Sequence, residues 1–244
     1  MGKRAVIFAI LIFTVLPILA VALTLGGIFF AAEGKGQEAY EAFFKQNTVN
    51  GNILLADKGG NAFMVCMPEE GNTRLISILP TACPKGEEDC TFLSVYREKG
   101  IKGLQEKIEN SLSCTIAGYL MVDFSGLGPM VDALGSVEIA GKTYSGQALG
   151  NYLQTLGGNS QGAYAQQDAV LAVGRRFCSA GFWKGQNALR KLLKVTDTNL
   201  SLSALVKIGS KLIPALEGKG LHRYCLPDAG RWESPVFGLI SQVK

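Results

Sequence analysis

Hydrophobic and polar positions form short apolar runs in the first half of the chain and helical spacings in the second. The runs 51–57 (GNILLAD), 62–67 (AFMVCM) and 74–79 (RLISIL) are divided by KGGN and PEEGNT, which predicts three consecutive strands joined by turns. Over 97–112, Ile101, Leu104, Ile108 and Leu112 recur at helical spacing with charges between them, an amphipathic helix. A strand follows over 117–124 (AGYLMVDF). SGLGPMVDALG then has Pro129 near its first turn and Gly135 just past its end, the marks of a short helix, and SVEIA (136–140) predicts another strand. Strand, helix and strand in such close order predict a crossover unit. Helices are expected over Gln161–Phe177, Gln186–Val195 and Ser201–Leu216, and the tail from Leu221 returns to strand-like stretches broken by Pro227, Gly230 and Pro235. No internal repeat or low-complexity segment interrupts this order.

The longest apolar run is of another kind. Ala5 to Ala32 contains no charged residue and follows Lys3 and Arg4. A helix of ~20 apolar residues crosses ~30 Å of hydrocarbon, so the run predicts a single membrane span. A signal peptide is the alternative, but its apolar core is usually ~7–15 residues. Pro17 is compatible with a span whose freed carbonyl finds another partner. Lys3 and Arg4 keep the short N-terminus cytoplasmic by the positive-inside rule. The expected layout is a cytoplasmic N-terminus (1–4), an anchor (5–32), a juxtamembrane linker (33–49) and one domain outside the membrane (50–244).

Charge and cysteine content sharpen this picture. The net charge of +4 is ordinary, but Arg175, Arg176, Lys184, Arg190, Lys191, Lys194, Lys207 and Lys211 stand against the single acid Asp197 between 175 and 211. Two readings are open: a solvated helical face, or a surface for anionic lipid head groups or an anionic polymer. Nucleic acid fits poorly with a domain outside the membrane. The six cysteines lie in a disulfide-permissive compartment under this topology. Cys83 and Cys90 flank a polar loop that is long enough for a local bridge. No CxxC pair occurs and His222 is the only histidine, which argues against zinc and against a Ser-His-Asp triad. The glycines at 126 and 128 precede Val131 where a dinucleotide fingerprint needs a third glycine, so that site is not expected.

YLMVDFSGLGPMVDALGSVEI (119–139) resembles the signature of the LytR-CpsA-Psr family of bacterial cell-envelope proteins, with Ser136 replacing a family glycine. The order around it is similar: NILLAD as the first strand, RLISILP before a Pro-Arg-Asp loop, KGIKGLQEKIENSL as the next helix, YSGQAL, AQQDAVLAV as the Arg-Gln-Gln helix, and YCLPDAGRW near the end. The resemblance implies an α/β/α sandwich with a central mixed sheet, holding a polyprenyl chain in an apolar tunnel. It also implies transfer of a glycopolymer from a polyprenyl-pyrophosphate carrier to peptidoglycan or protein, with Mg²⁺ and arginines gripping the pyrophosphate. Such chemistry needs concentrated positive charge and bidentate donors.

Carried over position by position, much of that charge is missing. Thr81 and Ala82 stand in place of the Arg and Asp after Pro80; Asn61 replaces a metal-holding Asp; Gln154 is the polar residue left where an Arg-x-Arg pair belongs; and Ala165 replaces the Arg before Gln166 and Gln167. Asp57 and Lys58 retain parts of the first loop. The candidate ligand-binding set is therefore Asp57, Lys58, Asn61, Thr81, Arg97, Gln154, Gln166, Gln167, Arg175 and Arg176, with no metal ligand assigned. In one reading, the domain binds polyprenyl-phosphate-linked precursor with its transferase chemistry weakened or lost, against an apolar framework of Leu104, Ile108, Leu120, Val122, Val131, Leu134, Val170 and Leu171. In the other, it is an active phosphotransferase whose cations have moved to Arg97, Arg175 or Arg176, and only then is Mg²⁺ required.

Overall fold

The computed structural model describes residues 51–227 apart from 70, 71, 85, 86 and 157. The run 5–32, the linker 33–49 and the tail with Gly230 and Pro235 lie outside the described residues. Among those described, no helix is long and apolar enough to cross a membrane.

The first three strands form the expected meander: β1 (Asn52–Asp57), β2 (Phe63–Glu69) and β3 (Asn72–Ile78). Their turn at 58–61 closes through Gly60 N–H donating to Asp57 O at 2.9 Å. Gly60 has φ +79°, a left-handed conformation that favours glycine.

Helix α1 (Phe92–Leu112) starts before the predicted 97 because Thr91 and Ser94 form a reciprocal capping box. It is interrupted at Gly100, whose φ of 67° is not helical. Strand β4 (Ile116–Val122) leads through a 3-10 turn (Phe124–Leu127) into α2 (Gly128–Leu134). Beyond β5 (Val137–Ile139) and β6 (Lys142–Tyr144) come α3 (Gly146–Thr155), α4 (Ser160–Ser179) and α5 (Phe182–Val195). Strand β7 (Thr196–Thr198), α6 (Leu202–Leu216) and β8 (Leu221–Leu226) complete the described chain.

The main sheet has the order β7-β4-β1-β2-β3-β8. Strand β1 is parallel to β4 and β3 to β8, whereas the other neighbours run antiparallel. One face, with Leu54, Ala56, Val65, Ile76 and Ile78, packs under Phe92, Leu104, Ile108 and Leu112 of α1. The other, with Ile53, Met64, Cys66 and Leu75, meets Leu171 of α4 and Ala204 and Ile208 of α6. Alternate residues of β1 and β2 face opposite layers, as the two-residue period of a strand requires. The three layers and mixed sheet match the expected architecture.

The crossover expected from SVEIA does not form. Strand β5 pairs with β6 in a separate two-stranded sheet, Glu138 opposite Thr143. Ala140 and Gly141 both have positive φ, 50° and 78°, the conformation of a two-residue hairpin turn. The turn therefore pairs β5 with the segment directly after it instead of with the main sheet. The chain between β4 and β7 instead packs as a helical cluster of α2, α3, α4 and α5 around Leu134, Leu149 and Phe177.

Candidate functional site

Strands β1, β3, β4 and β8 all point the same way, so the loops after them gather at one edge of the sheet. A crevice beyond the carboxyl ends of parallel strands is a common ligand position in α/β folds. The loop 57–61, the loop 79–83, the turn 123–127 and the N-terminus of α4 meet there.

Asp57, 2% exposed, ends β1. Its Oδ2 accepts from Asn61 Nδ2 at 2.7 Å and from Asn61 N at 3.2 Å, and its Oδ1 accepts from Phe124 N at 3.1 Å. Each carboxylate oxygen is thus held by neutral donors of the fold. Because a carboxylate only accepts, the Asn61 amide must turn its NH₂ inward. The Asn61 backbone carbonyl accepts from Gln166 Nε2 at 3.1 Å, and the same Gln166 amide donates to Leu156 O at 3.2 Å. Asp57, Asn61 and Gln166 therefore form one chain of hydrogen bonds from β1 to α4.

The second carboxylate at this edge, Asp123, accepts from Ser125 N at 2.9 Å and Ser125 Oγ at 2.5 Å. The Ser125 hydroxyl foremost, with backbone N–H groups and the nearby Lys58 charge, holds its pKa below the ordinary carboxylate range. Lys58 is exposed, and its carbonyl accepts from Tyr96 Oη at 3.1 Å. Thr81 Oγ1 donates to Gly158 O at 3.3 Å, tying the β3 loop to the approach to α4.

The structure brings together Asp57, Lys58, Asn61, Thr81 and Gln166, and the other candidates lie apart. Arg97 is exposed on α1, next to Tyr96, and Gln154 is exposed on α3. Gln167 is fully buried beneath the sheet edge, where Nε2 donates to Ser77 Oγ and to Tyr224 O, both at 2.9 Å, and Oε1 accepts from Arg223 Nε at 2.8 Å. Arg175 and Arg176 sit roughly 14–15 Å further along α4 than Gln166, at ~1.5 Å per residue. Arg176 Nε is buried with no hydrogen-bond partner. Cys83 and Cys90 are separate thiols in this structure: Cys83 Sγ donates to Glu88 O at 3.3 Å and Cys90 Sγ to Glu87 Oε2 at 2.7 Å. The Glu87 hydrogen bond raises the Cys90 pKa.

Sequence reasoning missed the Phe124 N–H, Asp123 with Ser125, and the Arg223 clamp on Gln167. The first is a backbone group, invisible to side-chain motifs. Asp123 two residues before Ser125 is a turn-capping pattern that could have been found. Arg223 is separated from Gln167 by 56 residues, and no local spacing signals their pairing.

The residues present do not suit Mg²⁺. A hard dication prefers carboxylate oxygens in octahedral array, whereas here both oxygens of Asp57 already accept from internal donors and Asn61 offers an amide where a second carboxylate would serve. No group of three acidic, Cys or His side chains suited to a metal occurs among the described residues. Among the described residues, this edge presents a hydrogen-bonded floor with the exposed cation Lys58 at its rim.

Comparison with known proteins places this architecture. The LytR_cpsA_psr family model matches residues 64–151, from β2 through most of α3. Among solved structures, a LytR-Csp2A-Psr enzyme from Actinomyces oris superposes with a TM-score of 0.63 at 14% identity, covering 78% of this chain and 88% of that one. TagV of B. subtilis gives 0.61 at 16% identity over 79% and 96%. A transcriptional regulator from Enterococcus faecalis gives 0.56 at 18% identity over 72% and 74%. At these identities the likeness is one of fold. No curated protein sequence matches the chain.

Proposed function

Because the chain belongs to the LytR-CpsA-Psr family, and so is an LCP-like domain of the cell envelope, we propose that it is membrane-anchored and extracytoplasmic and binds polyprenyl-phosphate-linked precursor with its transferase chemistry weakened or lost. The observation that carries this reading is the state of Asp57. Its oxygens accept from Asn61 and Phe124, so the carboxylate is spent inside the fold, and Thr81, Ala82 and Ala165 supply no charge. A leaving pyrophosphate develops charge that fixed cations or a metal must meet, and loss of a single such donor costs ~100-fold or more in rate. Lipid affinity has a different source. Burial of a prenyl chain is favourable by about 25 cal/mol per Å² of apolar surface and survives the loss of every arginine.

The apolar positions expected to form one framework lie in several packing clusters. Leu104 and Ile108 of α1 pack on one face of the sheet, Val131 and Leu134 lie in the helical cluster, and Leu171 lies against the opposite sheet face. The test offers purified full-length protein a polyprenyl-pyrophosphate glycan, a peptidoglycan acceptor and Mg²⁺. Retained glycolipid without product is the expected result. Turnover comparable to an active family member, abolished by Arg175→Ala with Arg176→Ala, overturns the reading in favour of an enzyme with relocated cations.

A further inference from the structure

Helix α5 carries a surface that the candidate site does not use. Its inner side belongs to the helical cluster: Ala188 is fully buried, and Leu189, Leu192 and Val195 pack against the same core. Residues turn about 100° apart around a helix axis. Trp183, Asn187, Arg190 and Lys194 therefore share one outward stripe, with Lys184 and Lys191 on one flank and Leu193 on the other. No acid occurs between Gly181 and Thr196. Trp183 is 77% exposed and Leu193 48% exposed, two of the three large apolar side chains exposed among the described residues.

A solvated helical face has no physical need for an exposed indole. An anionic polymer would satisfy the cations but leave Trp183 and Leu193 in water. The combination suits the headgroup zone of a bilayer, where indole rings settle and basic side chains meet lipid phosphates. We propose that α5 docks against an anionic lipid surface, with Trp183 and Leu193 entering the interface and Lys184, Arg190 and Lys194 meeting headgroup phosphates. Charge complementarity selects this occupant, since every ionisable side chain on the helix is cationic. Val195, the last residue of α5, accepts from Asp123 N at 3.0 Å. Docking therefore also brings the turn after β4, and with it the sheet edge bearing Asp57, close to the lipid surface. This inference goes beyond glycolipid binding at the sheet edge and stands without it.

The experiment uses the full chain with Trp232→Phe, leaving Trp183 as its only tryptophan. It is mixed with vesicles of phosphatidylcholine, with or without phosphatidylglycerol, whose acyl chains carry bromine. Trp183 emission should be quenched when phosphatidylglycerol is present and recover as salt rises. Arg190→Ala with Lys194→Ala should lower the ratio of docked to undocked domains about 30-fold, at about 5-fold per basic residue near an anionic surface. Quenching that is absent from both compositions, or equal in both, overturns the proposal. Protection of Trp183 by a soluble polyphosphate without any bromine quenching assigns the face to an anionic polymer and also overturns it. Flotation with pure phosphatidylcholine vesicles reports on the 5–32 run, and glycolipid retention reports on the sheet edge. Neither of these readouts depends on α5.

Discussion

At the scale of single residues, Asn61 decides what the buried carboxylate of Asp57 can do. Its Nδ2 donor lies 2.7 Å from Oδ2, where an acid would place a second negative charge. Asn61→Asp is expected to cost about 1–3 kcal/mol at neutral pH through the lost hydrogen bond and the new repulsion. Two such carboxylates bind a shared proton more tightly folded than unfolded, so their folded pKa is raised. The variant should match the parent below pH ~4 and lose stability as pH rises through that raised value. Millimolar Mg²⁺ should recover part of the loss by bridging the two acids, whereas the parent's melting temperature should not respond to it. Thermal melts across pH, with and without Mg²⁺, check both; a Mg²⁺-stabilised parent would show that its site still holds metal.

At the scale of elements, Gln167 of α4 fastens strand β8. Its fully buried amide touches Ser77 on β3 and Tyr224 on β8, and Arg223 bonds Gln167 Oε1, Asp168 Oδ1 at 2.7 Å and Tyr164 O at 2.7 Å. Gln167→Leu keeps most of the volume but strands several polar partners, each costing ~1–3 kcal/mol where water cannot reach it. A loss of about 3 kcal/mol in urea unfolding is expected, with hydrogen exchange accelerated first in Arg223 to Cys225. Unchanged exchange in β8 would count against the clamp. Elements of this kind divide sharply in how far a sequence discloses them. Strands β1 to β4 were legible because each carries a run of apolar residues, largely buried in β1, β2 and β3, and α4 because its apolar positions repeat. Strands β6 and β7 were not: KTY and TDT are three polar-rich residues each, too short to show a period. The hairpin at Ala140 and Gly141 was misread because VEI has a strand's composition wherever it pairs. Within the site, the contacts of Asp57 to Asn61 and Asn61 to Gln166 joined positions already singled out by motif, while Phe124 N and Arg223 are products of tertiary packing.

At the scale of the whole molecule, the uncharged run 5–32 behind Lys3 and Arg4 and the domain that begins by Gly51 lead to one expected topology. Protease added to intact protoplasts should remove a tag fused to the C-terminus while leaving cytoplasmic markers intact. A protected tag would reverse the orientation and remove the α5 surface from the outer lipid leaflet. The sheet order adds a consequence in time. Among the described residues, strand β8 is the outermost strand beside β3 and the last in the chain, some 150 residues after its partner begins. At ~5–20 residues per second of synthesis, β8 emerges ~1–6 s after β7. Throughout that interval β3 is an open edge of unpaired backbone and Gln167 lacks Arg223. The nascent domain thus passes through a stage at which a holding factor, or delayed collapse of the chain, protects it from pairing with another copy.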